Sequence, residues 1–266
     1  MTMKEDKAFF SGTGEVQGFD DIAQKEQQDI QAWAQHADSA GTTNFLHHKL
    51  EKIAEARVFL ETMKHYEDVF QHAGSILELG GGSCWASYLV KVLNPDAYVV
   101  GTDIAPAAIQ HHKIWEDVFQ TKIDDARACT SYETPFEEAA FDLIFCFEAA
   151  HHFGKHSRTF QEIKRLLKPG GTALYLHEPG CRRYIYPLAH RRVNRKRPAV
   201  PEDVLVYKDL LKLCSEQGLE GRVVFDPSLL NRGPSQTLYF MALRAFPFLQ
   251  HAVPCTIDLI IKKPTL

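Results

Sequence analysis

Residues Ile76 to Tyr88 read ILELGGGSCWASY, and the next apolar run, AYVVGTD, closes on Asp103. An apolar run that ends in three glycines and passes directly into a helical pattern is a strand, a bare turn and a helix. In an open α/β sheet such a turn lies at the carboxyl edge, where ligands bind. Glycine lets a ligand approach the main chain, and the first turn of the helix offers unpaired N–H groups to an anionic group. Asp103 ends the second strand 23 residues after Gly80. From there a carboxylate can accept hydrogen bonds from both ribose hydroxyls of a nucleoside.

Working outward, the runs SILELG, AYVVGTD, ARACTS, FDLIFCF, TALYLHE, GRVVFD and CTIDLIIKK alternate with helical segments. This alternation predicts an α/β, Rossmann-like fold with a seven-stranded, mostly parallel sheet and helices on both faces. Helices are expected over 85–93, 106–119, 158–167 and 202–217, the last closed by Gly218. KPGG, residues 168–171, reads as a turn into a strand. Upstream, 20–70 has helical character broken at SAGTTN. Its second segment sets Leu46, Leu50, Ile53 and Leu60 on one stripe, which predicts packing along that face. Arg57 shares the stripe, either as a stem at the edge of a packed face or as a charge aimed at a buried anionic group.

The chain has 266 residues, 45% of them hydrophobic, enough to bury a full core. A net charge of -4 and a pI near 6.3 argue against nucleic-acid binding over the whole surface. The six cysteines form no CxxC pair, which predicts reduced thiols and a cytoplasmic protein. No membrane span and no signal peptide are expected. The pairs His47–His48 and His111–His112 lack the four-residue spacing of a helical metal site, so no metal is expected. Between Cys181 and Arg197 stand seven Lys and Arg residues and no acid. This reads as a solvated connection or as a rim favouring anionic substrates or partners. Residues 229–254 hold TLYFMALRAFPFLQ, as extra core or as the wall of a pocket.

Trp85 stands where a GxGxxG dinucleotide fingerprint needs its third glycine, which argues against a dinucleotide. The sequence instead resembles the class I S-adenosylmethionine-dependent methyltransferases. ELGGGSC is similar to their acidic-x-Gly-x-Gly loop, with Glu78 as the acid and Gly80 and Gly82 as the spaced glycines. TPFEEAAFDLIFCFEAAHHF resembles the stretch ending in their fourth strand, and IKRLLKPGGTALYLHEP their next helix, turn and strand. The resemblance covers roughly Gly74 to Pro179. It departs at Cys84, where many members have a third glycine, and at Thr130 and Ser131, where members often have an Asp. It implies S-adenosylmethionine as cofactor, bound by an S-adenosylmethionine-dependent domain over 74–266 with insertions near 180–200 and 229–254. Residues 1–73 would form a helical extension or lid. Main chain at Gly80, Gly81 and Gly82 would face the methionyl part and Asp103 the ribose. Ile104 would pack on adenine, Thr130 and Ser131 would meet its edge, and Phe147 would lie beside the cofactor. Arg57 would pair with the methionyl carboxylate.

Methyl transfer from a sulfonium is an in-line displacement, so alignment and exclusion of water dominate. For a hydroxyl or ammonium acceptor a general base helps, and histidine suits the task. His151, His152 and His177 follow presumed strand ends, His152 being the first choice, and each has a packing or hydrogen-bonding role as its competing reading. Glu148 would bind a cationic acceptor or orient water. Base-directed relatives are similar in a Pro-Pro-aromatic motif that FEAAHH lacks, and protein-arginine enzymes in a second glutamate that is absent here. The expectation is therefore a small-molecule substrate, methylated on oxygen or nitrogen, with an anionic one favoured by the basic run. A nonenzymatic module binding an acidic partner or RNA through that run is the alternative, and an NAD-dependent oxidoreductase ranks last.

Overall fold

A mixed sheet runs in the order β3-β2-β1-β4-β5-β8-β7, with a short β6 beside β5. Its strands are β1 (Ser75–Glu78), β2 (Tyr98–Asp103), β3 (Asp125–Ala128), β4 (Phe141–Phe147), β5 (Leu167–Cys181), β6 (Leu205–Val206), β7 (Glu220–Phe225) and β8 (Cys255–Lys262). The first five and β6 pair in parallel, and β8 runs antiparallel to both β5 and β7. The computed structural model describes residues 42–195 and 202–265. The helical segment expected before Gly41, together with Lys196 and Arg197 of the basic run, lies outside the described residues.

Strand periodicity divides the core. Ile76, Val99, Leu143, Phe145 and Phe147 point to one face and Leu77, Val100, Ile144 and Cys146 to the other. The first face is covered by α1 (Thr42–Met63), α3 (Trp85–Leu93) and Trp115 of α5 (Ile114–Phe119). The second is covered by α6 (His156–Leu166) and α8 (Tyr207–Glu216) through Phe160, Ile163, Leu166, Leu210 and Leu213. Two short helices, α2 (Glu67–His72) and α4 (Pro106–Gln110), complete this half. The strand order reverses between β1 and β4, so the turns after these strands flank the crevice where such sheets bind ligands.

The expected elements recur with four differences. The helix predicted over 106–119 is broken at His111–Lys113 into α4 and α5. The helix predicted from Glu202 begins at Tyr207, because Leu205 and Val206 pair with Gly180 and Cys181 as an eighth strand. KPGG lies within β5 as an irregularity: Gly170 takes φ +80° and its N–H donates to Lys263 O at 3.0 Å. The fourth difference is the packed face of α1. Leu50 and Ile53 are exposed, and the buried stripe is Ala56, Phe59, Thr62, Met63 and Tyr66. Phe59 decides this, because its ring finds an aromatic socket of Trp85, Phe145 and Phe147 at 5.7, 5.8 and 5.2 Å. The Tyr66 hydroxyl then donates to Asp258 on β8 at 2.8 Å, fastening the segment to the sheet.

Candidate cofactor site and the histidines beside it

The glycine turn is tied to β2 at two of its three glycines. Gly81 N–H donates to Thr102 O at 2.8 Å and Gly82 N–H to Asp103 Oδ2 at 2.7 Å. The other Asp103 oxygen accepts Ala105 N–H at 2.8 Å. Each oxygen thus uses one lone pair on the main chain and keeps another for a hydroxyl. Burial raises the Asp103 pKa, and the two N–H bonds work against that rise.

Glu78 is buried under the turn. Its carboxylate accepts Ser87 N–H at 3.1 Å and Ser87 Oγ–H at 2.5 Å. It therefore serves an orphan donor in the first turn of α3, a task that Cys84 in the capping position leaves undone. Burial pushes its pKa up to about 7. Trp115 fixes the turn from the side, donating from Nε1 to Ser83 Oγ at 2.9 Å.

The three glycines differ. At Gly80, with φ +70°, a side chain would meet Ala149 and Phe153 at 3.0 and 3.1 Å, so this position is bare for packing against the turn after β4. At Gly81 it would strike the Glu78 carboxyl at 2.6 Å. Only Gly82, with φ +57°, faces open space among these three. The N–H groups of Trp85 and Ala86, first in α3, have no acceptor within the helix. An open backbone face at Gly82, a helix start and the Asp103 carboxylate form a cradle for a nucleoside with an amino-acid tail, such as S-adenosylmethionine.

Of the other expected contacts, Ile104 is half-buried beside Asp103. Thr130 and Ser131 lie in a turn closed by a Thr130–Glu133 bridge, with Ser131 Oγ 3.0 Å from Thr159 Oγ1. Phe147 packs inward among Phe59, Trp85 and the ring of His177. Arg57 is exposed on α1, one residue off the buried stripe.

Beyond the turn, Glu178 organises the chain after β4. Fully buried, it accepts the N–H groups of Ala149, Ala150 and His151 at 2.9, 2.7 and 3.1 Å, and the His151 ring Nδ1 lies 2.8 Å from it. Burial works to raise the Glu178 pKa, but His151 and the N–H bonds hold it low. Burial likewise works to lower the His151 pKa, and the Glu178 charge overcomes it and raises it. The His152 ring lies 4.1 Å from that of His151, centre to centre.

Glu148 directly follows the end of β4, whereas His177, expected after a strand end, lies within β5 at the irregularity between Tyr175 and Glu178, because the strand continues to Cys181; both are non-glycine residues at left-handed φ, +49° and +58°. Two such residues cost about 1–3 kcal/mol each and concentrate at functional sites. His177 Nε2 lies 3.6 Å from Glu148 and 3.4 Å from Arg232, and its Nδ1 3.6 Å from Asp226. Its N–H donates to Asp258 at 2.8 Å. Desolvation raises the Glu148 pKa, and His177 offsets part of that rise. The sequence reading missed Glu178, Asp226, Arg232 and Asp258. A lone acid inside the apolar run CTIDLII was the available signal for Asp258; Arg232 gave none. Among the described residues, no group of three His, Cys, Asp or Glu side chains could hold a metal ion.

Comparison with known proteins agrees with this geometry. Residues 77–175 match the methyltransferase domain family. The chain is 35% identical over 96 residues to phthiotriol/phenolphthiotriol dimycocerosates methyltransferase 1 of Mycobacterium ulcerans, covering 36% of this chain and 33% of that protein. It is 29% identical over 118 residues to demethylmenaquinone methyltransferase of Thermus thermophilus, covering 44% of this chain and 52% of that protein. The matches thus span a third to a half of these relatives' length. In fold it is similar to geranyl diphosphate C-methyltransferase from Streptomyces coelicolor, at 15% identity and TM-score 0.60, over 78% of this chain and 80% of that one. Over 77–175 the chain is thus similar in sequence to the methyltransferase domain family, and its sheet is similar in fold to that of a solved methyltransferase.

Proposed function

We propose that this protein transfers a methyl group to a hydroxyl or amine of a small molecule, with His151 as general base. The observation that carries this reading is the His151–Glu178 pair at 2.8 Å, in the turn after β4 whose Ala149 packs against Gly80. S-adenosylmethionine, when bound, supplies an electrophilic methyl on sulfur. Asp103 holds ribose hydroxyls with its unused lone pairs, and the helix start at Trp85 and Ala86 receives the methionyl carboxylate. His151 accepts the acceptor's proton at Nε2, while Glu178 at Nδ1 fixes the tautomer and stabilises the imidazolium that results. His152, the first choice from the sequence, gives way because the carboxylate is bonded to its neighbour. The relatives named for phthiotriol dimycocerosates and demethylmenaquinone support an apolar acceptor.

The test is methyl transfer from labelled S-adenosylmethionine to alcohol, phenol and amine acceptors, beside calorimetry of cofactor binding. His151→Ala lowers kcat by about 10²–10⁴-fold with cofactor affinity unchanged. Full turnover in that variant would remove His151 from the reaction.

A further inference from the structure

The chain leaving β5 and the chain arriving at β8 emerge together, because Gly180 pairs with Cys255. This happens at the carboxyl edge of the parallel strands, the edge that holds the cradle. The first chain forms α7 (Tyr186–Val193); the second forms α9 (Pro234–Ala245) and a short helical turn, Pro247–His251. Each sits on its own small core, α7 on Cys181 and Val204, and α9 on Cys255 and Phe225. The Tyr184 hydroxyl donates to Ala252 O, and the Arg192 charge is close enough to Tyr239 to act against the burial that raises that phenol's pKa. The two helices therefore share one surface.

That surface is apolar and positive at once. Tyr184, Leu188, Leu238, Met241, Phe246 and Phe248 are each more than half exposed. Scattered exposed leucines are ordinary, but six large apolar side chains on two neighbouring segments, with Phe246 and Phe248 in ring contact, call for a partner. Arg191, Arg192, Arg195 and Arg244 are exposed among them, and none forms an ion pair with a described carboxylate. No Asp or Glu occurs from Cys181 to Arg197 or between Asp226 and Asp258, in a chain whose net charge is -4.

The geometry points to a peripheral docking surface for an anionic lipid bilayer, with α7 and α9 lying in the headgroup layer. Arginines meet lipid phosphates, and the leucine, methionine and phenylalanine side chains enter the acyl boundary. Charge complementarity selects this occupant. A two-fold pairing of this face with a second copy would set like charges against each other. Nucleic acid would satisfy the arginines and leave Leu188, Leu238 and Met241 with nothing to bury against. Docking would turn the sheet's ligand edge towards the membrane, so that an apolar acceptor could pass from the bilayer without crossing water. No described helix is long and apolar enough to span a membrane, so the attachment is to the surface.

The experiment is co-sedimentation of the full chain with vesicles of phosphatidylcholine alone and of phosphatidylcholine mixed with phosphatidylglycerol. Binding to the mixed vesicles only is expected. It falls tenfold or more, and loses most of its salt dependence, in Arg191→Gln with Arg195→Gln. It is lost at all salt concentrations in Leu238→Ser with Phe248→Ser. Thermal melting and cofactor binding like the parent's show that these variants fold, so a failure of docking is separate from a failure of the methyl-transfer reading. Three results overturn the proposal: no binding to mixed vesicles, a shift from dimer to monomer in the patch variants, or RNA binding that needs the arginines and ignores the apolar pair.

Discussion

The Cys84 sulfur lies 2.4 Å from where a side chain on Gly101 would begin. The helix start carries a buried thiol at φ +60°, and β2 makes room with a glycine of its own. The two positions are one packing unit across the turn and the neighbouring strand.

Gly101→Ala therefore overpacks the site and lowers stability by about 1–3 kcal/mol in urea unfolding. Cys84→Gly with Gly101→Ala recovers most of that loss, since glycine also suits the left-handed conformation at position 84. Strictly additive single effects would show that the two residues do not share this space.

Asp103→Ala removes the acceptor that anchors Gly82 and Ala105 together with the proposed ribose acceptor. Calorimetry with S-adenosylhomocysteine should show affinity weakened tenfold or more, about 1.4 kcal/mol or greater. Glu78→Gln, which keeps an acceptor for Ser87, should leave affinity within a few-fold. Equal losses in both variants would mean that the turn's shape matters and the Asp103 carboxylate does not touch ligand.

Glu78 sets one pH dependence of stability. Its pKa rises from 4.5 to about 7 on folding because burial opposes its charge. The folded protein thus holds the proton more tightly, and this contribution is present below about pH 4.5 and lost as pH rises through about 7. Denaturant midpoints of Glu78→Gln measured across that window should fall less steeply with pH than those of the parent. Parallel curves would refute a buried, protonated Glu78.

His156 acts with the opposite sign. Neither ring nitrogen has a hydrogen-bond partner among the described residues, the ring lies among Phe153, Phe160 and Tyr175, and burial lowers its pKa from 6.5 to about 4. Its contribution is present above about pH 6.5 and lost as pH falls through about 4. His156→Phe should raise the melting temperature most at low pH; an equal shift at pH 5 and pH 8 would point to packing alone.

The order of strand, bare turn, helix and carboxylate was legible because it is written in local periodicity and in short spacings along the chain. The sheet followed, since alternating apolar runs and helices leave few ways to bury both faces. The site was legible only in part. Asp103 and Gly82 come together as expected because the turn and the end of β2 are adjacent by construction. Phe147 turns into the aromatic core because strand alternation aims it at Phe59, a contact that local pattern does not show, and the packed face of α1 shifted for the same reason.

By itself, then, the sequence determined the alternation of strands and helices, the parallel sheet and the place of the glycine turn, all of which depend on residues near one another in the chain. The tertiary structure alone decided which histidine meets a buried carboxylate, which glycine faces open space and where α7 joins α9. Those outcomes depend on side-chain directions from elements far apart in sequence, such as Tyr66 reaching Asp258 across 192 positions. Periodicity tells which residues are apolar; only the packed partner tells which way each of them points.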